Sequence, residues 1–242
     1  MSANVATALL TKLTVSNQLD GDDIQALSRL PMRIRNLEAQ QVIVAEGDRP
    51  EECCLLSEGF AFRSKTTSDG HRQVLSLHIP GEVPDLQSLH LHVMDHDLST
   101  LTPCTLGFIS HDALRHLNRA RPNVAAALWR ETLIDAAIFR EWMVNVGRRS
   151  ATARMAHLFI ELHRRLEAVG RTRDGEFGLP ITQAVLADCL GLSTVHVNRV
   201  LQNFRRAGVL TVNRAQFHIL KADRLDELAG FESTYLHQRP DV

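Results

Sequence analysis

The segment His90-Leu91-His92-Val93-Met94-Asp95-His96-Asp97 holds three histidines and two aspartates within eight residues. Imidazole and carboxylate groups are ligands that zinc, iron and manganese accept in proteins. If His90 and His92 lay on a strand, their side chains would share one face and could chelate a metal. His90, His92 and His96 are therefore the candidate metal ligands of this chain.

A metal site in this segment would need ligands from neighbouring elements as well. A His-x-His pattern in a β-barrel is typical of cupin-type metal enzymes, which take further ligands from a later strand. The later region Leu101–Ile109 contains no His, Asp or Glu. We therefore expect no bound metal and no enzyme activity, and we expect a polar helix-and-loop segment in which Asp95 or Asp97 caps backbone amides. Metal sensing and a cupin-type enzyme are the alternatives.

The four cysteines do not form a metal-binding motif either. Cys53, Cys54, Cys104 and Cys189 include no CxxC pair, so no zinc knuckle or cysteine-rich iron–sulfur motif is visible. Cys53 and Cys54 are adjacent in a probable strand and should point to opposite faces. Four free thiols fit a reducing compartment.

Length and composition favour a soluble protein of two domains. The 242 residues are 44% hydrophobic and 23% charged, and no apolar run approaches the length of a membrane span. We therefore expect a cytoplasmic protein without a membrane partner. Residues 1–147 hold 13 Lys+Arg and 18 Asp+Glu, whereas residues 148–242 hold 14 and 10. This asymmetry indicates that only the second part meets a polyanion.

The first half of the chain has the pattern of a small antiparallel β-structure. Residues 1–19 lack clear start or stop signals and are predicted to form a loose arm or frayed helix, and a short helix follows from Asp20 to Pro31. Short β-type runs alternate with glycine-containing turns up to Ile109. The spacing predicts a β-roll or jelly roll over residues 20–118. The predicted strands are Gln41–Ala45, Glu52–Leu56, Phe60–Lys65, Gln73–Ile79 and Thr105–Ile109.

A long helix is predicted within residues 119–147, from Asn123 to about Val146. Apolar residues occur on more than one side of this helix, so it needs two packing partners. One face can cover the β-structure and the other can pack on a second copy of the helix, giving a two-fold homodimer. A helix buried within one monomer is the alternative. We expect Gly147 to break the helix and to mark the start of the last domain, residues 148–242.

The most specific motif is Leu179–Leu210, LPITQAVLADCLGLSTVHVNRVLQNFRRAGVL. It predicts two short helices joined by a turn at Gly191, with Thr182 and Ser193 as their N-caps. Ala187 is small and leaves room where the helices cross. These spacings are typical of a helix-turn-helix, and the segments Val209–Val212 and Gln216–Leu220 predict a hairpin, hence a wing.

The outward face of the second helix has side chains suited to reading DNA bases. Arg199 can donate two hydrogen bonds to guanine, Asn198 can pair with adenine, and Val195 can contact a thymine methyl group. Arg205 and Arg206 suit phosphates, and His196 suits a phosphate or packing role. The alternative is a protein-interaction module. The predicted DNA-binding residues are Thr194, Val195, His196, Asn198, Arg199, Gln202, Arg205 and Arg206.

A β-roll, a long dimer helix and a winged helix-turn-helix ending in VNRVLQNFRRAGVL resemble the cyclic AMP receptor protein/fumarate-nitrate regulator (Crp/Fnr) family. The resemblance implies an α+β fold and a homodimeric transcription regulator that binds a near-palindromic double-stranded operator. RNA polymerase is then the expected protein partner. Arg199 matches the family's base-reading arginine. Val195 departs from the family's frequent glutamate, so the usual target sequences should not be assumed.

The resemblance also predicts where a ligand pocket has degenerated. Cyclic-nucleotide-binding members have a Gly-Glu pair, present here as Gly81-Glu82, and then a phosphate-binding arginine, whose place falls near Met94. Asp95 and Asp97 beside that place would repel a phosphodiester. We expect no cyclic AMP binding and no cofactor, with the effector unknown. Members with an iron–sulfur cluster have an amino-terminal cysteine cluster, whereas no cysteine precedes Cys53 here, so we expect no such iron–sulfur cluster. A haem-sensing regulator is a further alternative.

Overall fold

The computed structural model describes residues 2–238. Contacts between elements divide the chain into two compact units. The first unit contains the described parts of Met1–Lys65, Leu77–Ala136 and His237–Val242, and the second contains Thr66–Ser76 and Ala137–Leu236. Within residues 2–238, none of the helices combines the length and the apolar character that a membrane span requires.

Two antiparallel sheets form the predicted β-roll. The three-stranded sheet has the order β1-β7-β3, with β1 at Arg33–Leu37, β3 at Glu52–Glu58 and β7 at Cys104–Ser110. The four-stranded sheet has the order β2-β6-β4-β5. Its strands are β2 (Val42–Val44), β6 (Asp97–Thr100), β4 (Ala61–Thr66) and β5 (Arg72–His78).

Strand β3 separates two apolar clusters because its side chains alternate between its faces. Cys54 and Leu56 belong to a cluster with Leu98, Leu106 and other strand residues. Cys53 and Leu55 instead belong to a cluster with residues of the surrounding helices. The prediction that Cys53 and Cys54 point to opposite faces is confirmed.

A loose arm or a frayed helix was predicted for residues 1–19, and the structure has a packed helix over most of this segment. Helix α1 (Ser2–Ser16) contacts β3 and β7, and Val5, Leu9 and Leu13 are buried in the helix-side cluster. The weak sequence signal has a physical reason: α1 lacks acidic residues in its first turn and basic residues in its last, so tertiary packing stabilises it. Helix α2 (Gly21–Ser28) follows, with Asp20 as its N-cap in a capping box with Asp23.

Five strands lie where they were predicted, within a few residues, but other elements were missed. Strand β1 has two arginines and an asparagine among its five residues and lies at the edge of its sheet. Strand β6 begins at Asp97, the last residue of the segment predicted to be a polar helix and loop. Helix α3 (His111–Ala120) was also not predicted, although Ser110 caps it and Leu114 and Leu117 are buried.

Helix α4 (Pro122–Arg148) is longer than predicted, and the expected break at Gly147 is wrong. Apart from its chain neighbours and the backbone of α4 itself, no heavy atom of the described residues lies within 4 Å of the position that a Cβ would take at Gly147. Glycine costs a helix only about 1 kcal/mol relative to alanine, so one exposed glycine is not enough to end a helix of this length. The division between the two units also falls within α4, after Ala136.

The second unit contains the predicted winged helix-turn-helix. Its helices are α5 (Ala151–Ala168), α6 (Gln183–Leu190), α7 (Thr194–Arg206) and α8 (Ala222–Ala229). Strands β8 (Glu176–Gly178), β9 (Leu210–Asn213) and β10 (Gln216–Ile219) form a sheet in the order β8-β10-β9. Strand β8 and helix α8 were not predicted.

We expect Gly147→Ala to raise the free energy of unfolding by about 0.5–1 kcal/mol, because alanine restricts the unfolded chain and meets no obstacle in α4. Gly59→Ala is the matched control. Gly59 has φ +87° and a Cβ there would lie 2.7 Å from Cys104 Sγ, so this variant should be destabilised by more than about 1 kcal/mol. Urea denaturation measures both. A destabilised Gly147→Ala would contradict the uninterrupted helix.

Candidate nucleic-acid interface

Helix α6 is the first helix of the predicted motif, and its ends are defined by the residues that the sequence indicated. Thr182 Oγ1 accepts a hydrogen bond from Val185 N at 3.2 Å, so Thr182 is the N-cap. Gly191 ends the helix in the left-handed region, at φ 60°. Val185, Leu186 and Leu190 are buried, and so is Ala187.

Helix α7 lies across this turn and has one buried and one exposed face. Ser193 Oγ accepts from His196 N at 3.2 Å and is the N-cap. Val197, Val200 and Phe204 are buried, which fixes the rotation of α7 about its axis. The opposite face is then directed to solvent. The exposed residues on it include Thr194, Val195, Asn198, Arg199 and Gln202.

The structure brings five of the predicted DNA-binding residues onto one face. Val195 is 78% exposed. His196 is half-buried at the edge of this face. Arg206 is exposed near the end of α7, and Arg205 Nη2 points to Val212 O of the wing at 3.4 Å.

The wing lies beside this face and adds residues that were not predicted. Strands β9 and β10 pair in register and turn at Arg214, whose φ is 55°. A cavity of about 270 Å³ lies between α6, α7 and the wing. Its lining combines predicted residues with Gln183 and Arg214, which the sequence reasoning missed because only the fold brings them near α7. The polar lining residues are Gln183, Asn198, Gln202, Arg205 and Arg214.

The end of α6 is held by side chains that are distant in sequence. Arg72 donates to Asp188 Oδ2 through Nε at 2.9 Å and Nη2 at 2.7 Å. Gln73 Nε2 donates to Asp188 O at 2.7 Å. These contacts satisfy a carbonyl of the last turn of α6 that has no partner within the helix. No local sequence signal could have identified Arg72 or Gln73.

The residues predicted to line a degenerate ligand pocket in the β-roll contact other groups of the protein. A Cβ at Gly81 would lie 2.6 Å from Ala8 O, because α1 covers this turn. Glu82 Oε2 lies 2.9 Å from His78 Nδ1, and burial lowers the pKa of His78. Met94, at the place of the expected phosphate arginine, is only 2% exposed and is part of the strand-side apolar cluster.

The aspartates beside Met94 make local contacts. Asp97 Oδ1 accepts from Glu46 N at 2.8 Å, which confirms the prediction that one of these aspartates caps a backbone amide. Asp95 Oδ1 lies 2.7 Å from His96 Nδ1.

The three histidines of the segment are not directed to a common point. His90 and His92 are exposed and lie on a turn and a bend, not on a strand, whereas His96 is buried and its pKa is lowered by burial. Among residues 2–238, no three His, Cys, Asp or Glu side chains are grouped as metal ligands.

Arg63 and Asp85 form a buried polar region near this segment. Arg63 Nε donates to Pro84 O at 3.0 Å and Nη1 lies 2.5 Å from Asp135 Oδ2 of α4. Asp85 Oδ1 accepts from Cys54 N at 2.7 Å, and burial raises the pKa of Asp85 to about 7. Burial likewise raises the pKa of Cys53 to about 12, so this thiol is not activated for chemistry. No local sequence signal indicates that Arg63 and Asp85 lie near each other.

These features define a DNA-binding protein that combines a sensor-type β-roll with a winged helix-turn-helix. Residues 153–228 match the family model of the Crp-like helix-turn-helix domain, and residues 34–120 match that of the cyclic nucleotide-binding domain. The solved structure of FixK2 from Bradyrhizobium japonicum has the same fold, with a TM-score of 0.76 at 24% identity over 84% of this chain and 100% of that one.

The relatives in sequence are transcription regulators. The transcriptional activator protein FnrL of Cereibacter sphaeroides is 27% identical over 228 residues, which cover 90% of this chain and 89% of the relative. The nitrogen fixation regulation protein FixK of Rhizobium meliloti is 27% identical over 201 residues, which cover 83% and 89%. The chain belongs to the Crp/Fnr family, and it is a transcription regulator with a helix-turn-helix DNA-binding domain.

Proposed function

We propose that the protein is a homodimeric regulator that binds a near-palindromic double-stranded operator in the cytoplasm and acts there on RNA polymerase rather than as an enzyme. The observation that supports this most directly is the exposed face of α7. The opposite, apolar face of α7 is buried, so five side chains suited to base contacts are directed to solvent. The basic balance of residues 148–242 favours association with a polyanion.

The residues of this face have distinct roles in the proposal. Arg199 donates two hydrogen bonds to guanine O6 and N7, Asn198 pairs with adenine, and Val195 contacts a thymine methyl group. Thr194 and Gln202 extend the same face. Arg206 and the wing residue Arg214 contact phosphates, and Arg205 both contacts a phosphate and positions the wing through Val212 O.

Arg199→Ala should weaken binding to the operator about 10- to 100-fold, because one bidentate contact to guanine contributes roughly 1–3 kcal/mol of discrimination. Binding to unrelated duplexes should change much less, so sequence preference relaxes. Arg224→Ala is the matched control, since Arg224 is an exposed arginine of α8 that donates to Glu227 Oε2 at 2.7 Å. Titration of labelled duplexes at one fixed salt concentration measures both. Unchanged affinity and preference in Arg199→Ala would show that the proposed base contact is wrong.

The proposed dimer is supported by an apolar seam along α4. Trp129, Phe139, Met143 and Val146 are 38–63% exposed in the single chain. Their separations of ten, four and three residues are those of a and d positions in a coiled-coil heptad. Leu133, 50% exposed, flanks the seam. A second copy of the same helix, related by a two-fold axis, is the partner that such a seam fits.

Met143→Glu should weaken dimerisation at least about tenfold, because a charge at an a position is desolvated in the seam. Val144→Glu is the matched control: Val144 is adjacent and 44% exposed but lies off the seam, so the dimer should persist. Sedimentation equilibrium measures both. Equal effects of the two substitutions, or none, would contradict the proposed seam.

The regulator is proposed to bind neither cyclic AMP nor a resident cofactor. The self-contained contacts of Glu82, the covering of Gly81 by α1 and the burial of Met94 support this proposal. Asp95 and Asp97 would also place negative charge near a phosphodiester, which is unfavourable.

Isothermal calorimetry with cyclic AMP should therefore give no heat of binding at ligand concentrations up to about 1 mM, because buried Met94 stands at the place expected for the phosphate arginine. The thermal unfolding temperature should also be unchanged by the nucleotide, since a ligand that binds the native state raises it. Micromolar binding with a matching thermal shift would contradict the degenerate pocket.

A further inference from the structure

The joint between α4 and α5 is short, and its backbone is held by side chains. Arg149 alone lies between the end of α4 and Ser150, whose Oγ accepts from Ala153 N at 3.3 Å and caps α5. Arg154 Nη2 donates to Val146 O at 2.9 Å and to Arg149 O at 3.1 Å. These bonds satisfy carbonyls at the end of α4, so the chain leaves the helix in a defined direction.

A buried carboxylate on α5 connects three elements of this unit. Glu161 is 0% exposed and accepts from Trp142 Nε1 of α4 at 3.1 and 3.3 Å. It also accepts from Tyr235 Oη at 2.8 Å and from Arg165 Nη1 at 3.1 Å. Because a buried charge is tolerated only when its hydrogen-bond partners are in place, this group restricts the relative positions of α4, α5 and the C-terminal 3-10 helix Ser233–Leu236.

His157 adds a second set of contacts one turn earlier on α5. It is 0% exposed, and burial lowers its pKa to about 3, so the imidazole is neutral at ordinary pH. Asn145 of α4 lies 2.9 Å from His157 Nδ1, and the ring of Tyr235 stacks at 5.9 Å. Arg149 Nη1 also donates to Asn145 Oδ1 at 3.0 Å. Side chains of α4 and α5 therefore connect the two helices at the joint through hydrogen bonds.

These contacts lie in the same compact unit as α7, since that unit extends from Ala137 to Leu236. We infer that the network centred on Glu161 and Tyr235 fixes the direction of α7, the proposed recognition helix, relative to the second half of α4. In this way the network determines which half-site spacing the dimer accepts. Tyr235 and Trp142 are positioning residues in this inference. It rests on the proposed function, because only a dimer that binds two half-sites can discriminate their spacing.

The physical reason is the geometry of the double helix. The two half-sites of a symmetric dimer lie about one turn, roughly 34 Å, apart. Each added base pair moves one half-site by about 3.4 Å and rotates it by about 34°. A recognition helix fixed to α4 through a rigid joint cannot follow this change without losing contacts. A loosened joint can follow it, so spacing discrimination should fall while base preference within each half-site is retained.

The test uses the full chain and DNA duplexes. The half-sites of these duplexes are first obtained by selection from a random pool. Affinity is then measured with the selected spacer between the half-sites and with a spacer that is one or two base pairs longer. Tyr235→Phe removes one hydroxyl and keeps the ring, and Trp142→Phe removes the indole donor as a second variant. Ser28→Ala is the control, since its hydroxyl donates to Gln25 O within α2.

Wild type and Ser28→Ala should lose about tenfold in affinity per added base pair. Both network variants should lose less than about threefold, with little change at the selected spacing.

Two results would overturn this inference alone. One is wild-type spacing discrimination in folded Tyr235→Phe and Trp142→Phe. The other is an equal loss of affinity at every spacing together with a lower thermal unfolding temperature, which would mean that the network only stabilises the fold. If the wild-type chain bound no selected duplex, the proposed function itself would be contradicted, and that outcome is distinct from both.

Discussion

The exposed apolar seam of helix α4 is the constraint on which the rest of the proposed mechanism depends. Trp129, Phe139, Met143 and Val146 leave apolar surface in water that one chain does not cover, and burying such surface contributes about 25 cal/mol per Å². In the proposed dimer this seam pairs with its own copy about a two-fold axis. The same helix continues without a break into the unit that contains α7. Dimerisation and the placement of two recognition helices are then consequences of one element.

The β-roll shows how a domain of the cyclic nucleotide-binding class can retain its fold while its polar groups are used internally. Glu82 is paired with His78, and Asp97 caps a backbone amide. Arg63 connects Pro84 O with Asp135 of α4, within the first unit. A buried group that already has its partners gains little from a ligand and would lose those bonds on binding one. These internal contacts support the proposal that the roll binds no cyclic nucleotide.

Local chemistry determined what could be predicted from the sequence. The caps at Thr182 and Ser193, the left-handed glycine at position 191 and the apolar spacing of α7 are local signals, and the structure confirms the elements that they predicted. Helix α1, by contrast, lacks such signals and is stabilised by burial against the roll. The partners of Asp188 and Glu161 lie far away in sequence, so only the fold could identify Arg72 and Tyr235. The break expected at Gly147 is absent because one exposed glycine is not enough to end a helix of 27 residues.

Sequence-specific recognition by a two-fold dimer can be measured by selection of duplexes from a fully random pool with the purified wild-type chain. We expect an enriched near-palindrome whose two half-sites are separated by about one helical turn, each with a guanine placed for Arg199. No enrichment over the starting pool would contradict sequence-specific recognition. Enrichment of one isolated, asymmetric half-site would contradict recognition by a two-fold dimer.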